Sequence, residues 1–195
     1  MELLEQILER ENLNEAYKRV YANKGSSGVD GVTVEELLDY LKEHKVELLE
    51  SIRKRKYKPQ PVRRVEIPKD NGKKRQLGIP TVVDRVIQQA IAQVLSPIYE
   101  KQFSNSSYGF RPNRSCEMAV ISSLELLNAG YDWIVDIDLE RFFDTVHHDR
   151  LMNIINRTVE DGDVLSLIRK FLVSGVMVSG KYEATKVGTP QGGNL

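Results

Sequence analysis

The stretch WIVDIDLERFFDTVHHD, residues 133–149, decides how the chain reads. Trp133, Ile134, Val135 and Ile137 are residue types that a buried strand favours, and Asp136 and Asp138 interrupt them at period two. That pattern predicts a strand carrying both carboxylates on one face. Carboxylates are costly to bury unless they are paired or hold a metal, so this window is the first candidate site. Two aspartates at a strand end also suit the capping of the next helix, and for an isolated Asp-x-Asp pair that plainer role accounts for the pattern.

Outward from this window, helical and extended periodicities come in mixed order. Leu3, Leu4, Ile7, Leu8, Ala16, Tyr17 and Val20 predict one helix over residues 2–22, followed by a loop holding Lys24, Gly25, Gly28 and Gly31. Thr33 and Glu36 stand at capping-box spacing, and Leu37, Leu38, Leu41, Val46, Leu48 and Leu49 carry a helix towards residue 52. The run VRRVEIPKDNGKKRQLGIP, residues 62–80, predicts a β-hairpin turning near Asp70, Asn71 and Gly72. A long amphipathic helix follows Pro80, with Val82, Val83, Val86, Ile87, Ala90 and Ile91 on its core face. Helices are expected near 115–129, 147–158 and 163–173, and a second hairpin turns at Gly180 and Lys181. With neither an internal repeat nor strict strand–helix alternation, the fold class is α+β.

The balance of 28 basic against 28 acidic residues hides a segregation. Residues 1–50 carry 6 Lys/Arg against 12 Asp/Glu, a net −6, whereas residues 51–75 carry 11 against 2, a net +9. Such a basic block suits nucleic acid or phosphate, although a solvated charged face is the commoner use of lysine-rich runs. No apolar run reaches membrane-spanning length, and the single Cys116 cannot form an internal disulfide, so the expectation is a cytoplasmic protein without structural zinc.

Five blocks in order carry a resemblance: GVDGVT (28–33), VRRVEIPK (62–69) with RQLGIPTVVDRVIQQAI (75–91), SYGFRPNRS (107–115), VDIDLERFFDTVHHD (135–149) and GTPQGGNL (188–195). Together they resemble the reverse transcriptases encoded by group II introns, the maturases. The resemblance implies a right-hand polymerase: fingers with a helical extension and basic hairpin over 1–80, and the beginning of the palm, returning into the fingers, over 81–195. It implies that Asp138 is a catalytic magnesium ligand, joined by the backbone carbonyl of Ile137 or Leu139, with Asp136 and Asp144 in support. Phe143 resembles the steric gate against a 2′-hydroxyl, Lys69 and Arg75 the triphosphate clamp, and Gln191 a residue packed on the nucleotide. Arg63, Arg64, Arg111 and Arg114, with Lys24 and Gly28, fall where the family meets RNA.

The implied partners are group II intron RNA, an RNA template with a DNA primer, and dNTPs. Family members carry a Tyr-x-Asp-Asp turn that completes a two-metal site. No adjacent aspartate pair occurs in this sequence, so the expectation is a fragment that stops before that turn, binds RNA, and is inactive alone. A homodimer through palm surface left exposed would fit such a fragment.

Overall fold

A computed structural model describes residues 2–68, 72 and 74–189, with the side chain of Arg75 outside the description. Two compact units make up the chain, one of Met1–Val94 with Arg141–Leu195 and the other of Leu95–Glu140.

In the first unit, the single N-terminal helix expected from periodicity is two: α1 (Leu3–Leu8) and α2 (Arg10–Ala22). Glu9 between them is extended, at ψ 140°. The break has no glycine or proline signal. Instead, the Asn12 side chain donates to the Ile7 carbonyl at 2.9 Å and the Ala90 carbonyl at 3.0 Å, replacing a helical partner by a side-chain one. Leu4, Ile7, Leu8, Ala16 and Val20 still face the core.

Thr33 and Glu36 form the expected reciprocal cap, and α3 (Leu37–Arg53) begins one residue later. Thr81 accepts from the Asp84 amide and starts α4 (Val82–Glu100), whose Val82, Ile87, Ala90 and Ile91 are buried.

Strands β1 (Val62–Pro68) and β2 (Lys74–Ile79) pair antiparallel from Arg63 opposite Ile79 to Pro68 opposite Lys74. Near the chain's end, β3 (Val176–Val178) and β4 (Lys181–Glu183) form the second hairpin. The sheet order is β2-β1-β3-β4, and β1 meets β3 in parallel only through Val62 and Arg63. Helices α6 (Phe142–Thr145), α7 (His148–Asn156) and α8 (Gly162–Leu172) lie between the hairpins in sequence. Asp161 caps α8, and Val164, Leu167, Ile168, Phe171 and Leu172 fill its buried face.

The second unit corrects the opening expectation. Its helix α5 (Cys116–Asn128) forms as predicted, yet residues 131–139 run as irregular chain. Trp133 is 94 % exposed and Ile137 81 %. A strand needs a neighbour to take its backbone hydrogen bonds and a surface to cover its apolar face; among the described residues no segment pairs with this one. Asp136 and Asp138 therefore share no strand face here.

Candidate functional site

Alternation sends Arg63 and Arg64 to opposite faces of β1, and the two do different things. Arg63 donates through Nε and Nη2 to the Ser27 carbonyl, at 3.1 and 2.8 Å. Arg85 on α4 donates to the adjacent Ser26 carbonyl at 2.7 Å. Two guanidiniums thus hold the glycine loop, and Gly28 is seated so closely that a Cβ there would stand 2.6 Å from Thr81 Cα. Arg63 and Gly28, assigned to RNA by resemblance, have structural duties. Arg64, on the other face, donates to the Gln76 side chain at 2.9 Å among exposed groups. Lys24 is exposed and takes φ 44°.

Beneath the hairpin lies a buried acid that the sequence reading passed over. Asp84, 1 % exposed, accepts from the Tyr57 hydroxyl at 2.6 Å, the Gln60 amide at 3.1 Å and the Thr81 hydroxyl at 2.8 Å. Burial raises its pKa against the opposing pull of those donors, and burial followed by the Asp84 charge raises that of Tyr57. Lys170 of α8 donates to the Arg55 and Tyr57 carbonyls, holding the same turn from another side. The signal available in the sequence was a lone Asp-Arg pair inside an apolar helix.

The turn bearing Phe143 is held from outside. Arg141 at φ 50° leads into α6 and pairs with Asp144 at 3.2 Å. Phe142 and Phe143 meet edge to face, centroids 5.7 Å apart. Phe143 is 53 % exposed. Its carbonyl accepts from the Thr189 amide at 2.7 Å, and the Val146 carbonyl accepts from the Gly188 amide at 2.8 Å. A cavity of about 180 Å³ opens among Arg64, Gln76, Arg141, Asp144, Gly188 and Thr189. Its lining combines the charged Arg64, Arg141 and Asp144 with the apolar Val62, Phe171, Leu172, Val176 and Val187.

In the second unit, Asp136 and Asp138 are exposed, and Asp138 accepts from the Leu139 amide at 3.0 Å. Among the described residues no group of three or more His, Cys, Asp or Glu could hold a metal. One carboxylate beside the Ile137 and Leu139 carbonyls can supply a single magnesium ligand and does not by itself make a two-metal site. Arg111 is enclosed: its side chain is 6 % exposed, chelates Glu100 and donates to the Ser104 and Ser107 carbonyls at 2.6 and 2.8 Å. It organises its own loop and has little reach towards a phosphate. Arg114 lies over the Tyr108 ring and donates to Asn105. Lys69 and Gln191 lie outside the described residues, and Arg75 contributes its backbone to β2 opposite Ile67.

The fold has a known counterpart. The chain superposes over its whole length on 32 % of a chain of a partial Cas6-RT-Cas1–Cas2 complex, with a TM-score of 0.66 at 22 % identity, which shows the reverse transcriptase fold. The profile of the reverse transcriptase (RNA-dependent DNA polymerase) family matches residues 67–195, and the chain belongs to that family. It is 41 % identical over 182 residues to the group II intron-encoded protein LtrA of Lactococcus lactis subsp. cremoris, covering 92 % of this chain and 30 % of LtrA. To the protein YkfC of Escherichia coli (strain K12) it is 39 % identical over 197 residues, covering 98 % of this chain and 52 % of YkfC. A putative COX1/OXI3 intron 2 protein of Saccharomyces cerevisiae is 34 % identical over 181 residues, 91 % of this chain and 21 % of that protein. The chain therefore spans between about a third and a half of the first two relatives. Among the described residues no helix is long and apolar enough to cross a membrane.

Proposed function

We propose that the full-length protein carrying this chain is a cytoplasmic RNA-directed DNA polymerase that extends a DNA primer on an RNA template with dNTPs, and that it binds group II intron RNA as a splicing cofactor. The observation that carries this is a basic hairpin, with six Lys/Arg against two Asp/Glu over residues 62–79, in a chain whose residues 67–195 match a polymerase family. Residues 1–80 act as fingers and 81–195 as the start of the palm. Arg64, Arg114 and Lys24 meet the RNA backbone through charge, while Arg63, Gly28 and Arg111 shape the loops beside them. Lys69 and Arg75 neutralise the triphosphate, Gln191 packs on the nucleotide, and Phe143 excludes a 2′-hydroxyl. Asp138 is one ligand of a magnesium site that carboxylates elsewhere in the longer protein complete, with Asp136 and Asp144 in support.

Primer extension on RNA with Mg²⁺ and dNTPs tests the polymerase. The full-length protein should extend and its Asp138→Asn variant should not; equal extension by both would remove Asp138 from the chemistry. For this chain alone a second reading is an RNA-binding module without polymerase activity, since its sequence contains no adjacent aspartate pair. RNA affinity should then fall steeply with salt, as counterion release requires, and a flat response would take the hairpin out of the interface. The exposed apolar residues of α5 and 133–139 also suit a homodimer, which sedimentation at rising concentration would reveal.

A further inference from the structure

We propose that His148 is a positioning residue for the sugar gate, acting through Gly188 on Phe143; this rests on Phe143 being that gate. His148 opens α7 and is 3 % exposed, although nothing in the catalytic assignment uses it. Its Nε2 stands 2.7 Å from the Gly188 carbonyl. A carbonyl only accepts, so Nε2 carries the hydrogen.

Gly188 is constrained on every side. It takes φ 83°, and a Cβ would lie 2.8 Å from the Asp144 carbonyl oxygen and 3.1 Å from that of Phe143. Its amide donates to Val146, its carbonyl accepts from His148, and the next amide, Thr189, donates to Phe143. The peptide at Gly188 is thus pinned at both ends, and the Phe143 carbonyl is pinned by it.

Helix α6 has four residues and cannot hold a conformation by its own hydrogen bonds. The attitude of the half-exposed Phe143 ring is therefore imposed by the Gly188–Thr189 segment, and His148 fixes that segment. Losing the donor leaves a buried carbonyl unsatisfied and frees the segment to shift. A gate works by repulsion over a short distance, so a small displacement of its ring admits the larger sugar.

The test uses the full-length protein and three substitutions. His148→Leu removes the donor, His148→Asn keeps polarity with a shorter reach, and His148→Gln can still donate to Gly188. Hydrogen exchange in peptides covering residues 185–189 should speed up roughly tenfold in His148→Leu and His148→Asn, and stay near wild type in His148→Gln. The ratio of kcat/KM for dNTP over rNTP should fall in the first two and recover in the third. In a Phe143→Ala background, His148→Asn should change that ratio no further.

Unchanged exchange in both His148→Leu and His148→Asn would overturn the proposal. So would an additive effect of His148→Asn on the ratio in the Phe143→Ala background, since it would place the action elsewhere. A Phe143→Ala protein with the wild-type ratio would instead overturn the gate itself, and is recognisable because the exchange changes would persist without it. Should His148→Leu fail to fold, His148→Asn against His148→Gln decides alone.

Discussion

Tyr57 donates its hydroxyl to the Asp84 carboxylate at 2.6 Å, joining the turn before β1 to the first turn of α4. Tyr57→Phe removes one of three donors from a buried acid and should destabilise the protein by about 1–3 kcal/mol in denaturant unfolding. The pH dependence has a definite sign. Burial raises the Asp84 pKa above its ordinary 3.8, so the native state holds this proton more tightly than the unfolded chain does. Its contribution is present below the ordinary aspartate range and is lost as pH rises through the raised value. Asp84→Asn should flatten stability across that window, while Tyr57→Phe, by removing a donor that favours the ionised form, should extend it upward.

Arg63 and Arg64 are neighbours that substitution should separate. Arg64→Glu touches an exposed pair with Gln76 and should lower RNA affinity and its salt dependence while leaving the melting temperature near wild type. Arg63→Glu also breaks the link to Ser27, so it should lower stability as well, by about 1–3 kcal/mol. Melting curves beside binding isotherms make the comparison. Equal melting temperatures would mean that the Ser27 contact contributes nothing.

Two glycines of one loop should also differ. Gly28→Ala places a methyl against the Thr81 backbone, which has no flexible end to yield, and should cost about 1–3 kcal/mol. Gly31 is at φ 76° with open space around it, so Gly31→Asn meets backbone strain alone and, Asn being among the residues that visit the left-handed region, should cost about 1 kcal/mol or less. Thermal unfolding of the two variants settles this.

Arg111→Lys should loosen the loop from Ser104 to Ser107 despite keeping the charge. A lysine is a point donor and cannot chelate Glu100 while holding two carbonyls. The Arg111 hydrogen bond leads the causes holding the Glu100 pKa below its ordinary 4.5. Loop protection in the wild type should therefore be present above that value and fade as pH falls through the lowered one. Hydrogen exchange across residues 104–108 would report both effects, and an Arg111→Lys loop with wild-type protection would deny the chelate its role.

Local signals carried most of the helices and both hairpins. The Thr33–Glu36 box, the apolar face of α4 and the turn at Gly180 each depend on residues close in sequence, which is why they were legible. What escaped depends on distant partners. The break at Glu9 needs Asn12 to reach Ala90, and the parallel pairing of β1 with β3 leaves no mark in either strand. The opposite failure befell 133–139, where a strand pattern meets no neighbour among the described residues. Site residues divide the same way. The family resemblance assigned Arg63 and Arg111 to RNA, and only the fold reveals that their hydrogen bonds go to Ser27 and Glu100.

The sheet joins strands that leave the ribosome at very different times. β1 and β2 emerge together and can close within microseconds, whereas β3 must follow the synthesis of every helix from α4 to α8. Until then β1 has an open edge, and a lone two-stranded ribbon is marginal in water. Its arginines, and Pro68 at its end, then serve as guards against pairing with other nascent chains. Ribosome-bound chains stalled before residue 176 should accordingly expose this ribbon to protease, and release past residue 183 should shelter it.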